Sequence, residues 1–405
     1  MKVALIIQNP DPRLGGAELY TLNLARSLAA RGHEVTLAAE DGPASTRDEV
    51  QRAGITCRYF GRHGRSRWAR MQGFLDKARE LFDARRHDII HAMLPVWKCD
   101  VYQPHAGLAT YLQARGHLKH PNAIVQRLSQ MANHLNPKRV GQARVEQALM
   151  TGSGGGRPPL LLSISFLMHD YARDYFHYPA DRMEMLRYGI DLDRFDPASD
   201  AYPARESMRS QWKLRPEQRV GIFIGHNWIR KGVPEAIAAM GRLKAQGTGE
   251  NLVLLLAGRD DPRPYRKQAQ RLGVAERIRF ADTAADPPAF YRAADFLLLP
   301  TRQDTCSIVV LEALVMGLPV ITTLQNGASE LIVPGRQGLL MERGDSSALA
   351  QAMAAMLDDR SRTSMAAEAL AMRECFGQRA HVDAIERIYQ KVIATRPLQN
   401  AVAHP

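Results

Sequence analysis

Two acids and two cations mark where this chain could do chemistry. Asp304 and Glu312 stand eight positions apart within Thr301 to Leu324, TRQDTCSIVVLEALVMGLPVITTL. Glu312 sits among Ile308, Val309, Val310, Leu311, Ala313 and Leu314, on a segment apolar nearly all round. An unpaired carboxylate buried there costs on the order of several kcal/mol. It therefore calls for donors, and a ribose diol offers two hydroxyls in a matching fork. The plainer alternative is that Asp304 only caps a helix and Glu312 pairs with a core Arg. Arg230 and Lys231 precede Gly232 and a helix from Val233. Adjacent cations beside helix-end amides make an anion site. Gly15-Gly16-Ala17-Glu18 opens another helix, where a glycine pair lets backbone approach a ligand closely.

The elements that must position these groups can be read from pattern. Residues 296–299 (FLLL) form a buried strand and 300–303 a turn. Asp304 is then expected to cap a helix from Thr305 to about Met316, ended by Gly317 and Pro319 before a strand at 320–322. Such a strand–helix–strand unit puts the helix start at the carboxyl edge of a parallel sheet, where open α/β sheets bind ligands. The amides of Thr305, Cys306 and Ser307 would point there and favour phosphate. The chain opens with a similar unit: a strand at 2–7, a helix at 17–31 closed by Gly32, and a strand at 33–39. It lacks GxGxxG, so the dinucleotide fingerprint is absent. A second unit starts with the strand at 220–224.

The acid-x7-acid spacing followed by LEAxxxGLPV resembles the donor site of retaining, GT-B-fold glycosyltransferases of family 4. The stretch Asp100 to Tyr111, DVYQPHAGLATY, is similar to that of lipopolysaccharide-core glucosyltransferases. The resemblance implies an α/β protein of two Rossmann-like domains facing a cleft. Residues 1–195 would bind the acceptor, 196–378 the nucleotide sugar, and a last helix at about 379–396 would cross back to the first domain. It implies a donor site of Gly15, Gly16, Arg230, Lys231, Asp304, Thr305, Cys306, Ser307, Ile308 and Glu312. Glu312 would hold the ribose, Asp304 the transferred sugar, and Arg230 and Lys231 the diphosphate. Catalytic roles fall to His105, Arg230, Lys231 and Asp304. The nucleobase would lie between the strand ends at Gly258-Arg259-Asp260 and Asp282-Thr283. Departures from the family pattern are Asp304 for Glu, Ser307 for Gly, and His226 for an Arg after Gly225. Two other readings share these residues: a non-catalytic binder of sugar nucleotides, and a nucleotide-sugar epimerase of the same fold.

Composition narrows the partners. Residues 51–150 carry 17 Lys and Arg against 6 Asp and Glu, so almost all of the net charge of +12 lies in this region. An anionic partner is expected there. No helix-turn-helix, zinc-finger or aromatic RNA-binding signature accompanies the charge, so nucleic acid is not expected. The expected acceptor is an anionic glycan or glycolipid, lipopolysaccharide core first, at the inner-membrane surface. Gly61 to Arg70, GRHGRSRWAR, is the segment expected to touch lipid, with Trp68 at headgroup level. Residues 115–144 read as long, basic and weakly amphipathic. No apolar run reaches the ~18 residues of a membrane span. Residues 1–9 read as a first strand and not as a signal peptide. The four cysteines lack CxxC spacing and read as reduced thiols, so a cytoplasmic enzyme is expected. Asp191 and Asp193 form a literal DxD, read as a turn. No metal and no cofactor is expected.

Overall fold

The computed structural model describes residues 1–396 apart from 121, 156, 201–202, 204 and 282–285. Two sheets organise them, and every strand pairing is parallel. The first contains β1 (Lys2–Ile6), β2 (Glu34–Ala39), β3 (Thr56–Tyr59), β4 (Ile89–Ala92), β5 (Val101–Tyr102), β6 (Leu160–Ser163) and β7 (Met183–Met185). Their order is β3-β2-β1-β4-β5-β6-β7. The second contains β8 (Arg219–Ile224), β9 (Leu252–Ala257), β10 (Ile278–Ala281), β11 (Phe296–Leu299), β12 (Val320–Thr323) and β13 (Gly338–Met341), in order β10-β9-β8-β11-β12-β13. Strands such as LVLLLA in β9 and FLLL in β11 are buried at every position. Continuous apolar runs are what a parallel sheet covered on both faces requires. In each sheet the strand order reverses once, between β1 and β4 and between β8 and β11. A crevice opens at each reversal.

The helix expected from Thr305 begins later, at Ile308, and ends at Val315. A tertiary contact sets the delay. Asp304 forms a parallel bridge with Asn326, its N–H donating to the Gln325 carbonyl at 3.0 Å and its own carbonyl accepting from Gly327 at 3.0 Å. The loop after β11 is thereby laced to the loop after β12. Asp304 is not the helix cap; Ser307 occupies that position, without a capping side-chain bond. Arg230 and Lys231 likewise lie in a separate short helix, Trp228–Lys231, with Gly232 between them and the Val233–Ala245 helix.

The basic stretch at 115–144 is several elements: Ala109–Arg115, a 3-10 turn Gly116–Lys119, Ala123–Leu135 and Pro137–Thr151. Asn122 and Asn136 each cap a following helix through the side-chain oxygen, and Pro137 fits the first turn of the last. Trp68 packs against that helix. A Cβ at Gly141 would fall 2.1 Å from its ring, so the indole is committed to the fold and not to lipid. The last helix, Gln378–Ala394, crosses to the first sheet as expected. Glu386 meets Arg31 at 2.8 Å and His33 at 2.7 Å, and the Tyr389 hydroxyl meets His91 Nδ1 at 2.8 Å.

Candidate active site

The carboxyl edges of the two sheets face each other across a cleft of about 540 Å³. All eleven residues singled out from the sequence line it: Gly15, Gly16 and His105 on one side, and Arg230, Lys231, Asp304, Thr305, Cys306, Ser307, Ile308 and Glu312 on the other. The two sides approach closely at two glycines. A Cβ at Gly16 would stand 3.1 Å from Ile308 Cγ2, so two helix starts oppose each other here. Gly107 adopts φ +94°, and a Cβ there would come 2.4 Å from Thr305 Cγ2.

Lys231 and Asp304 meet directly at the cleft wall. Their side chains are only 12% and 10% exposed. Ser307 Oγ donates to the same Asp304 oxygen and lies 3.2 Å from Lys231 Nζ. Burial alone would raise the Asp304 carboxyl, but Lys231, Arg230 and the Ser307 hydroxyl hold it below the usual carboxylate range. Burial pushes the Lys231 ammonium down, with Arg230 adding to the effect while Asp304 opposes it. The two form a buried ion pair at the cleft wall, with Arg230 beside it.

Glu312 does not pair with an arginine. The Tyr291 hydroxyl donates to its Oε2 at 2.7 Å, and burial raises its carboxyl above the usual range. The Ser307 amide is already spent on Asn326 Oδ1 at 3.2 Å. At the helix start the amides of Ile308 and Val309 are those without an intrahelical acceptor. They replace Ser307 as the donors a phosphate would find. Cys306 is buried, which holds it as a thiol.

A family profile described as "Glycosyltransferase Family 4" matches residues 14–194, and one described as "Glycosyl transferases group 1" matches 218–359. Between them they take in most of the chain. The chain belongs to glycosyltransferase family 4. It is 30% identical to a D-inositol 3-phosphate glycosyltransferase of Corynebacterium glutamicum over 59% of this chain and 57% of that one. It is 26% identical to the lipopolysaccharide glucosyltransferase WaaG of Escherichia coli over 81% and 82%. Among solved structures, WaaG superposes with a TM-score of 0.77 at 21% identity, covering 96% of this chain and 99% of that one. Anabaena HepE in complex with UDP superposes at 0.73 and 18% identity, covering 96% and 100%. The architecture is that of a GT-B glycosyltransferase.

Several residues of this glycosyltransferase stand differently from expectation. His105 lines the cleft, yet its ring is only 5% exposed, stacked on Tyr188 with centroids 5.4 Å apart and tilted on Tyr20 at 4.4 Å. Its Nδ1 lies 3.0 Å from the Tyr188 hydroxyl, and its carbonyl accepts from Thr305 Oγ1 at 3.2 Å. Burial and the neighbouring His91 and His381 hold the imidazole neutral. His226 lines the cleft as a neutral group, its protonation pushed down by burial and by Arg259. It cannot replace an arginine as a cation at neutral pH. Asp191 accepts from the amides of Asp193 and Arg194, the turn expected of the DxD. Among the described residues no cluster of three His, Cys, Asp or Glu could hold a metal. Asp282 and Thr283 lie outside the described residues. Sequence reasoning missed Tyr291, which carries no local signal because it reaches Glu312 from another element. Asn326 falls in the turn at 325–330, which the family resemblance already put near donor and acceptor.

Proposed function

We propose that the enzyme moves a hexose from a uridine-diphosphate sugar to an anionic glycan or glycolipid, with retention, at a membrane surface. The observation that carries this reading is the buried contact of Lys231, Asp304 and Ser307 at the wall of the cleft that Glu312 also lines. A leaving diphosphate and a sugar hydroxyl need opposite charges at one place, and this contact supplies both. A UDP donor is supported by HepE, a structural neighbour solved with UDP and with UDP-glucose. Lipopolysaccharide core stays the first choice of acceptor, on the name of WaaG.

In this scheme the Glu312 carboxylate takes the ribose diol while Tyr291 steadies its other side. The bond from the anomeric carbon to the diphosphate oxygen breaks, and charge grows on the phosphate. Lys231, Arg230 and the amides of Ile308 and Val309 stabilise it. The acceptor oxygen bonds to the anomeric carbon on the same face and passes its proton to the leaving phosphate. Asp304 orients a hydroxyl of the transferred sugar. His105 acts as a positioning residue through Tyr188 and Thr305. The scheme needs no metal and no cofactor.

The membrane part rests on an exposed apolar face. Ile124, Leu128, Met131 and Leu135 are 70, 62, 64 and 78% exposed. Their spacing puts them on one side of the Ala123–Leu135 helix. The surrounding region holds most of the chain's positive charge. An apolar stripe flanked by cations suits the interface of an anionic bilayer. Among the described residues no helix is long and apolar enough to cross a membrane. The test is a panel of nucleotide sugars screened by thermal shift, the best then offered with glycolipid extract. A UDP-hexose should stabilise the chain, and the new linkage should keep the donor's anomeric configuration. An inverted linkage, or no shift with any UDP-sugar, would overturn the reading.

A further inference from the structure

A second cavity, of about 370 Å³, adjoins the donor cleft and shares Arg230 with it. Its size falls within the roughly 300–1,000 Å³ range of small-molecule sites. Lys119 reaches it from the Gly116–Lys119 turn, Arg139 from the Pro137–Thr151 helix, and Arg230 from the other domain. No Asp or Glu is among its described lining residues. The Arg139 guanidinium is held in place: NH1 donates to the Asn133 side-chain Oδ1, and it packs so close to Gly116 that a Cβ there would stand 3.3 Å away. Gln303, 5% exposed, also lines the cavity, and its amide nitrogen has no partner. Burial and the repulsion of Arg139 and Arg230 push the Lys119 ammonium below its usual range.

Three converging cations and a spare amide donor, with no acid among the lining residues, describe a site whose missing component is an anion. We infer that this cavity binds a phosphate group of the acceptor, with Lys119 and Arg139 as its principal ligands and Arg230 shared with the donor diphosphate. The inference rests on the transferase reading above and names the acceptor feature that the enzyme would recognise. A guanidinium fork suits two phosphate oxygens and an ammonium a third. The phosphate belongs either to a soluble sugar phosphate or to a lipid-linked one. The Ala123–Leu135 helix packs on the turn that carries Lys119, so both sources can reach the site.

The experiment titrates inorganic phosphate into the full chain by calorimetry at saturating UDP, which keeps phosphate out of the donor subsite. Phosphate should bind, and Lys119→Gln with Arg139→Gln should weaken it roughly 10- to 100-fold, the range for losing hydrogen bonds to a charged group. UDP affinity in that variant should be unchanged, which also reports that it folds. Arg139→Lys, which keeps the charge but loses the fork, should retain part of the binding. Phosphate binding that vanishes with UDP, or that ignores the double substitution, would overturn the inference. Failure of UDP itself to bind would instead remove the transferase reading. Vesicles of phosphatidylcholine with phosphatidic acid complete the test. Binding that inorganic phosphate competes away supports a lipid-linked source, and binding that it leaves intact supports a soluble one.

Discussion

The two walls of the active-site region handle their polar groups in opposite ways. On the donor wall the buried acids are already partnered: Asp304 by Lys231 and Ser307, Glu312 by Tyr291. On the acceptor wall Lys119 and Arg139 stand with a neutral amide and no lining acid. A buried charge is costly unless paired, whereas a half-exposed one can wait in water. The donor wall is therefore built as part of the core, and the acceptor wall from half-buried surface elements.

The largest expected effect comes from cutting the donor wall. Lys231→Met should lower kcat roughly 10²–10³-fold, the range for losing one stabilising donor at a developing oxyanion. It should also destabilise the chain by about 3–5 kcal/mol, because Asp304 stays buried without its partner. Adding Asp304→Leu should restore most of the stability and none of the activity. Recovery of activity would break the comparison. Chemical denaturation and single-turnover kinetics read the two quantities separately.

Next in size is Glu312→Gln, which keeps the shape but loses the charge offered to the ribose. UDP affinity should fall roughly 10-fold, on the scale of hydrogen bonds to charged groups. The pH dependence has a definite sign. Burial raises the Glu312 carboxyl, so the folded chain takes up this proton above the ordinary carboxylate range. Its carboxylate is lost as pH falls through that raised value. The contribution of this one group to folding stability grows in the same direction, since the folded state binds the proton more tightly than the unfolded one. UDP binding should therefore weaken on mild acidification in the native chain and less in Glu312→Gln. Calorimetry across pH checks it, and equal slopes would sever Glu312 from the nucleotide.

Smaller effects test the acceptor side. Leu128→Glu with Met131→Glu should reduce binding to anionic vesicles several-fold while leaving UDP affinity and thermal stability unchanged, since both side chains are exposed. Salt near 0.5 M should weaken the native interaction through screening of the surrounding cations. Back on the donor wall, Tyr291→Phe should cost about 1–3 kcal/mol of stability as one buried hydrogen bond is left unmade, read by chemical denaturation.

The difference between the walls also explains what could be read from the sequence. Arg230-Lys231 and the run from Asp304 to Glu312 are contiguous, so motif and spacing carried the donor side and the two-sheet architecture with it. What escaped was tertiary. The bridge from Asp304 to Asn326 delays the helix to Ile308, and no local propensity reports a contact between two loops. Tyr291 reaches Glu312 from a separate helix. At 115–144 charge was legible, but the apolar stripe of the Ala123–Leu135 helix was masked by the basic residues around it. Lys119 and Arg139 lie twenty positions apart and converge only because Asn122, Asn136 and Pro137 break the chain into stacked helices. Trp68 looked free for lipid until Gly141 supplied a seat for its ring.

A crystal structure of the chain with UDP tests the central claim most directly. The diphosphate should lie beside Lys231 and the first amides of the Ile308–Val315 helix, with the ribose hydroxyls on Glu312 and Asp304 released from Lys231 or sharing it. Nucleotide density elsewhere in the cleft, or a ribose that leaves Glu312 on Tyr291 alone, would contradict the account.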